Sequence, residues 1–412
     1  MSRVLLLIPT ISYRTSDFLT AAYKLGADVI VASNERQTLE DIAKGHTLTL
    51  DFQNLNESVD TVVSFAKEFP LDAVVSTDED QVVLAAMISA ALGLPHNPIA
   101  SVKATRYKDI LRILLTKAHV ATPMAYCFSV TDPIEKIAQK VTYPCVLKPI
   151  HLSASRGVIR ANTKEEFKDA FIRITKILSD PEVRKMGKVS AEKILVESFI
   201  AGSEVALEGL LKAGSLAVLS LFDKPDPLNG PFFEETIYVT PSQLSPIIQE
   251  KIAVCAEQAC RAIGLKEGPV HAEIRLNGDV PYVIEVAARS IGGICSRTLR
   301  FGLGVSLEEI ILRHALKMPI DAMKREDFAS GVMMIPIPAS GTLSNVEGVS
   351  EASKVAYIEG VTIMIRRKQK VIPLPEGRRY LGFIFARGNS PDDVVSALRK
   401  AHRALRFTIV AE

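Results

Sequence analysis

GPVHAEIRLNGDVPYVIEVAARSIGG, residues 268–293, reads as a two-stranded hairpin that carries carboxylates. In its first half His271, Glu273 and Arg275 alternate with Val270, Ala272 and Ile274, so a period of two puts the polar three on one face and the apolar three on the other. In its second half Val283, Glu285, Ala287 and Arg289 share one parity, with Ile284 and Val286 on the other. Glu285 stands inside an apolar run, where a carboxylate is costly unless it is paired or metal-bound. Asn277-Gly278-Asp279 marks the turn. Register then decides whether the two carboxylates meet. An even loop would send Glu273 and Glu285 to opposite faces; an odd loop, with Gly278 left-handed, would bring them to the same face and within reach of one ion. Oxygen ligands of this kind suit magnesium. The plain alternative is that Glu273 pairs with Arg275 or another surface charge; Glu285, Arg289 and the following Gly292-Gly293 favour a site.

Upstream, YPCVLKPIHLSASRGV (143–158) sets Lys148 at the end of an apolar strand, directly before the small-residue loop Ser153-Ala154-Ser155-Arg156-Gly157. Amides and hydroxyls of such a loop wrap phosphate oxygens while the lysine adds a point charge. Read alone, the same residues are also a snorkelling lysine beside a surface turn. ILVESFIAGSEVALEGLL (194–211) has Glu197, the apolar Phe199-Ile200, a turn at Gly202, and Glu204 opening the next strand. An adenine ring needs an apolar sandwich and a ribose needs a carboxylate; in isolation this is an ordinary hairpin with two exposed glutamates.

The first hundred residues alternate short apolar strands, Val4–Ile8, Asp28–Ala32 and Ala73–Ser76, with helical segments at Asp17–Leu25, Val59–Phe69 and Gln81–Leu92. That order implies right-handed crossovers and a parallel sheet. Pro9-Thr10-Ile11-Ser12 stands where a dinucleotide fingerprint would follow the first strand, and no P-loop occurs. Ser101–Ala118 reads as one helix. Residues 122–200 read as a unit with the strands Cys145–Pro149 and Lys193–Phe199 around a long helix, Lys164–Leu178. Val205–Leu211, Leu216–Phe222, the helix Pro246–Ile263 and the hairpin follow. After Pro319 the chain turns strand-rich and closes with a helix, Pro391–Leu405. With 49 Lys and Arg against 47 Asp and Glu, the chain lacks the basic excess of a nucleic-acid binder. Its five cysteines are odd in number and hold no Cys-x-x-Cys pair, which argues against a disulfide framework or a zinc site. The apolar run at the N-terminus is shorter than the ~7–15 residues of a signal-peptide core, and Val82–Leu94 is short of the ~20 needed to span a bilayer. The expectation is a cytoplasmic protein without nucleic-acid or membrane partners.

Taken together and in this order, the pieces resemble the ATP-grasp superfamily, most closely its L-amino acid ligase-like carboxylate–amine ligases. The C-terminal segments GVMMIPIPASG (331–341), PLPEGRRYLGFIFARG (373–388) and AHRAL (401–405) extend the resemblance over essentially the whole chain. It implies a multidomain fold of mixed α/β and α+β class. A parallel α/β domain (1–104) precedes a two-part ATP-grasp module (105–318, lid 122–200) and a strand-rich C-terminal subdomain (319–412). It also implies roles. Lys108, in the segment TRYKD, and Lys148 resemble the ATP-phosphate lysines, and Ser153 and Ser155 belong to the phosphate loop. Glu197, Phe199 and Ile200 resemble the adenine hinge, with Glu204 at the ribose. Glu273 and Glu285 resemble the Mg2+ ligands, Mn2+ being the alternative ion, and Arg289 resembles the arginine that holds the forming acyl phosphate. Ala287 stands where many relatives carry a further asparagine ligand, which leaves a second ion in question. In FFEETIYVTP (232–241) Tyr238 replaces a common histidine; Glu235 is the candidate amine contact and His271 a substrate contact or a support for a carboxylate. The implied activity is ATP-dependent amide or peptide bond formation through an acyl phosphate, with small-molecule carboxylate and amine substrates and a homodimer as a family-level expectation. The alternatives are an ATP-grasp enzyme of nucleotide or cofactor biosynthesis, a carboxylase, or a non-catalytic ATP-binding regulator.

Overall fold

A first strand with four consecutive fully buried residues, Val4 to Leu7, must be covered on both faces, and the fold supplies that cover. In the computed structural model, which describes residues 2–10, 12–36, 45–321 and 323–411, this strand (Arg3–Leu7) is central in a four-stranded parallel sheet. The sheet order is Thr47–Thr49, Asp28–Ser33, Arg3–Leu7, Ala73–Ser76. The helices Thr15–Lys24, Leu55–Glu68 and Val82–Ala91 follow the expected crossovers, while the short edge strand Thr47–Thr49 has too few apolar residues to be visible as a pattern. Ile11, in the loop that stands in place of a glycine fingerprint, lies outside the described residues.

One antiparallel sheet of eight strands forms the body of the molecule. Its order is Val280–Ala287, Gly268–Asn277, Ser203–Lys212, Ser215–Asp223, Ile237–Thr240, Ala329–Ile335, Gly382–Gly388 and Ile358–Ile363. The carboxylate hairpin therefore lies at one edge, and strands from beyond residue 319 continue the same sheet. The helix Pro246–Ile263 buries Ile252, Cys255, Ala256, Ala259 and Cys260 against the hairpin end. Proline opens it and Gly264, left-handed at φ 86°, closes it, as the missing N–H of one and the missing Cβ of the other favour. The helix Pro391–Ala404 covers the other end with Val394, Ala397, Leu398 and Ala401.

A second antiparallel sheet, ordered Ala125–Ser129, Lys193–Ser198, Cys145–Pro149 and Ile159–Ala161, stands over the first. The amphipathic helix Lys164–Leu178 backs it, burying Phe167, Phe171 and Ile174, and Thr163 caps that helix by accepting the Glu166 N–H. A small sheet of Lys370–Val371, Gly341–Glu347 and Arg406–Val410 completes the fold.

Two sequence expectations are corrected. The last described element is the strand Arg406–Val410 rather than the helix before it; its five residues, RFTIV, are too short a run to set a clear period. Ser101–Ala118 is two helices, Ile99–Arg106 and Lys108–Lys117, because Tyr107 adopts an extended conformation (φ −113°, ψ 104°). Among the described residues no helix is long and apolar enough to cross a membrane.

Candidate active site

The hairpin loop is even. Asn277 pairs with Val280, leaving Gly278 and Asp279 as a two-residue turn in which Gly278 is left-handed at φ 57°. By the register argument the two carboxylates should then part, yet Glu273 sits directly opposite Glu285. The odd residue lies further along: Ile274 pairs with Val283 and Glu273 with Glu285, so Ile284 is a bulge that reverses the parity of everything after it. The rule that only an odd turn brings the two carboxylates together, and the reading that Val283 and Glu285 share a face, are thereby corrected. Val283 packs with Ile274 in the core, whereas Glu285 and Glu273, each about one fifth exposed (21%), line a cleft of about 1000 Å3 between the two large sheets. A pair of facing, partly exposed carboxylates is a donor set that fits Mg2+.

The break at Tyr107 makes Lys108 the first residue of its helix. Its N–H donates to Ile150 O (2.9 Å) and its ammonium to Leu152 O (2.7 Å), with Glu285 Oε1 3.6 Å away. Lys148, at the end of its strand, brings Nζ to 2.6 Å from Glu197 Oε2, and the other oxygen of Glu197 lies 2.7 Å from Arg112 Nε. Burial would raise the Glu197 carboxyl, but Arg112 and Lys148 outweigh it and hold the pKa below the usual value. Glu197 thus faces Lys148. Between these lysines the loop 153–157 runs with Ala154, Ser155 and Gly157 all at positive φ (55°, 54° and 74°). It is fastened to the C-terminal segment by Gly157 N–H to Pro375 O and Arg156 Nε to Glu376 O, both 2.8 Å. Ser153, Ser155, Phe199 and Ile200 all line the cleft. Phe199 is fixed between the guanidinium groups of Arg160 (4.0 Å from the ring centroid) and Arg275 (5.1 Å).

Carboxylate oxygens of Glu204, Glu235 and Glu273 lie within 4.8 Å of one another, and the reason is a buried lysine. Lys224 donates to Glu204 (2.7 Å) and, in a short contact, to Glu235, and stands 3.8 Å from Glu273. Burial alone would lower its pKa; the three carboxylates hold it well above the ordinary lysine value. Tyr238 donates its hydroxyl to Glu235 (2.6 Å). Lys224 and Tyr238 thus both donate to Oε1 of Glu235, whose side chain is partly exposed in the cleft. Glu204 also meets Arg275 (3.4 Å), so Arg275 is spent on Glu204 and on the carbonyls of Leu228 and Gly202 rather than on Glu273. For Glu273 itself burial pushes the carboxyl up and the neighbouring Glu235 and Glu204 push the same way, against Lys224 and His271.

His271 bridges two carboxylates: Nδ1 pairs with the fully buried Glu208 and Nε2 lies 3.6 Å from Glu273. Burial opposes its charged form, but Glu208 prevails and the imidazole is raised to about 9. The second oxygen of Glu208 accepts the N–H of Ile291 (3.1 Å), which ties the Ser290–Gly293 loop to the same group. Arg289 lines the cleft with its guanidinium held by both Nε (3.1 Å) and Nη2 to Glu79, which also receives Arg106 (2.9 Å).

Lys224, Glu208, Glu79 and Arg112 were not singled out by sequence reasoning. Only Glu208 left a signal there: it has the parity of Glu204 in a strand that is otherwise apolar, where an unpaired carboxylate is costly.

A lid sheet over an antiparallel sheet, with two lysines and a carboxylate pair in the cleft between them, defines a class, and comparison with known proteins agrees. Residues 141–298 match the ATP-grasp domain family and residues 19–96 the ATP-grasp N-terminal domain. The chain is an ATP-grasp domain protein. Residues 333–410 match the L-amino acid ligase C-terminal domain 2, and within its class the chain resembles the L-amino acid ligases. The crystal structure of L-amino acid ligase from Bacillus licheniformis superposes with a TM-score of 0.85 at 26% identity, covering 100% of this chain and 99% of that one. Alanine–anticapsin ligase of Bacillus subtilis (strain 168) is 25% identical over 269 residues, 62% of this chain and 56% of that ligase. Dapdiamide A synthase of Enterobacter agglomerans is 26% identical over 316 residues, 74% and 71% of the two chains. This chain thus spans about half the length of the first of these curated relatives.

Proposed function

We propose that this chain is an ATP-dependent carboxylate–amine ligase that joins an amino acid to a second small molecule through an acyl phosphate. The observation that carries the proposal is the direct pairing of Glu273 with Glu285 in a cleft that also holds Lys108 and Lys148. In the chemistry proposed, a substrate carboxylate oxygen attacks the γ-phosphorus of ATP, the bond to the ADP oxygen breaks, and an acyl phosphate forms. An amine nitrogen then attacks the acyl carbon, gives up a proton and expels inorganic phosphate. Phosphoryl transfer of this kind needs position and charge neutralisation more than a protein nucleophile.

In this reading Lys148, Lys108, Ser153 and Ser155 hold the phosphates, while Phe199 and Ile200 bound the adenine and Glu204 faces the ribose. Glu197 orients Lys148 rather than touching the nucleotide. Glu273 and Glu285 would hold Mg2+, which supplies charge neutralisation on the phosphate oxygens. Lys224 and His271 keep Glu273 in place, and Glu79 holds the Arg289 guanidinium ready for the acyl phosphate. The proposed units are 1–104, 105–318 with the lid at 122–200, and 319–412, the last two sharing one sheet. The likeness to an L-amino acid ligase over the whole length supports this reading over a carboxylase or an enzyme of nucleotide biosynthesis. A phosphate-release assay with ATP, Mg2+ and pooled amino acids tests it. Release that requires the amino acids, and is abolished in a folded Glu285→Ala variant, is the expected result; wild-type turnover in that variant sinks the metal assignment.

A further inference from the structure

A ligase that joins two amino acids must recognise one carboxylate it does not activate, that of the amino acid whose amine attacks. Among the described residues, six arginines line the cleft. Four are neutralised by protein carboxylates: Arg14 by Glu308, Arg106 by Glu79 and Asp80, Arg275 by Glu204, and Arg289 by Glu79. The other two, Arg378 and Arg379, are consecutive and exposed, and among the described residues they have neither an ion pair nor a hydrogen bond. Unpaired guanidinium groups in a cleft whose other arginines are all paired are a ready recognition site for a carboxylate, whose geometry their planar fork matches.

Their neighbours add a second requirement. Tyr380 stands edge-on to Phe383 (centroids 6.2 Å apart), and Tyr13, from the N-terminal unit, meets the same ring from another side (6.2 Å). Phe383 reaches to 3.0 Å from where a Cβ on Gly293 would lie, so the aromatic group abuts the loop that carries Arg289. All of these residues line the cleft, and Met334 and Cys295 pack in the same apolar cluster beneath them. The segment is also held in place: Glu376, two residues before Arg378, receives the lid residue Arg173 through both carboxylate oxygens (2.6 and 2.9 Å).

We propose that Arg378 and Arg379, with Tyr380, Phe383 and Tyr13, form the subsite for the amine substrate, an α-amino acid with an apolar side chain. The guanidinium pair takes its free carboxylate and the aromatic group takes its side chain. This rests on the ligase reading above, so its test is a binding measurement that needs no turnover. Calorimetric titration of the intact protein with Mg2+ and a non-hydrolysable ATP analogue uses L-leucine, L-methionine and L-phenylalanine, their α-amides, and glycine. Loss of a charge-assisted contact predicts amides that bind about ten- to hundred-fold more weakly than the acids, and loss of the side chain predicts glycine weaker by about ten-fold or more. Arg378→Ala/Arg379→Ala should erase the acid–amide difference, and Tyr380→Ala should shrink the leucine–glycine difference. Equal binding of acid and amide by the wild-type protein, glycine as tight as leucine, or no binding of any of them at millimolar concentration overturns the proposal. These wild-type comparisons stand even where a variant fails to fold. Failure of the ligase reading has a separate signature: acid–amide discrimination without phosphate release.

Discussion

Replacing Lys224 by methionine keeps the length and packing of the side chain and removes one charge from the middle of three carboxylates. Lys224 contacts Glu204 at 2.7 Å, Glu235 more closely still, and Glu273 at 3.8 Å, and only 3% of its side chain is exposed. Breaking a buried charge cluster by removing one partner costs about 3–5 kcal/mol, because the charges left behind are uncompensated. Here three acids are left, although one of them can take up a proton, which sets the expected loss at the lower end, about 3 kcal/mol. Against a typical total of about 5–15 kcal/mol that is a large share, readable as a lower urea midpoint at unchanged slope. The three carboxylates would then lie within reach of a divalent ion, so Mn2+ should restore part of the lost stability in Lys224→Met and more than it adds to the wild type. A loss below about 1 kcal/mol, with no extra response to Mn2+, would refute the idea that Lys224 is what gathers Glu204, Glu235 and Glu273.

Two other perturbations probe the end of the cleft proposed to hold the phosphates. Gly157→Ala places a Cβ at φ 74°, 2.8 Å from Pro149 Cγ; a left-handed conformation costs a non-glycine residue about 1–2 kcal/mol. Calorimetry with a non-hydrolysable ATP analogue should show roughly ten-fold weaker binding, and an unchanged Kd would remove the loop from the nucleotide site. His151 is buried, and burial together with Arg106 and Lys108 lowers its pKa to about 4 from about 6.5. Below pH 6.5 the unfolded chain binds the proton that the folded one refuses, so the stability tied to the neutral ring is complete above pH 6.5 and drains away as the pH falls towards 4. Between pH 7 and pH 5 the wild type should lose about 2 kcal/mol more than His151→Leu in urea unfolding, and parallel pH profiles for the two would contradict the burial of a neutral imidazole.

The features legible in the sequence were those written locally: the parallel sheet of the first hundred residues, Lys148 at a strand end before a small-residue loop, and the hairpin with its two glutamates. Each depends on spacing within about thirty residues. What escaped depends on single-residue events or on partners far apart in the chain. A bulge at Ile284 leaves the composition of its strand unchanged yet inverts its parity, so an even turn still brings Glu285 to Glu273. The break at Tyr107 leaves a continuous helical pattern on either side, yet it alone sets Lys108 at a helix start facing the cleft. Glu79 and Arg289 are 210 residues apart and Glu208 and His271 63 apart, so nothing in either segment alone announces the other. The lysine that donates to one oxygen of Glu235 sits eleven residues away, across a loop, so the segment around Glu235 does not announce it.

The pairing of Glu273 with Glu285 is the local fact from which the functional account is built, and the product of the reaction is its most direct test. Wild-type protein incubated with ATP, Mg2+ and mixed amino acids, followed by mass spectrometry, should yield a species whose mass is that of two substrates less one water. That species should form in step with ADP and inorganic phosphate. ADP and phosphate without any such product, or a product that forms equally well without ATP, would contradict the account.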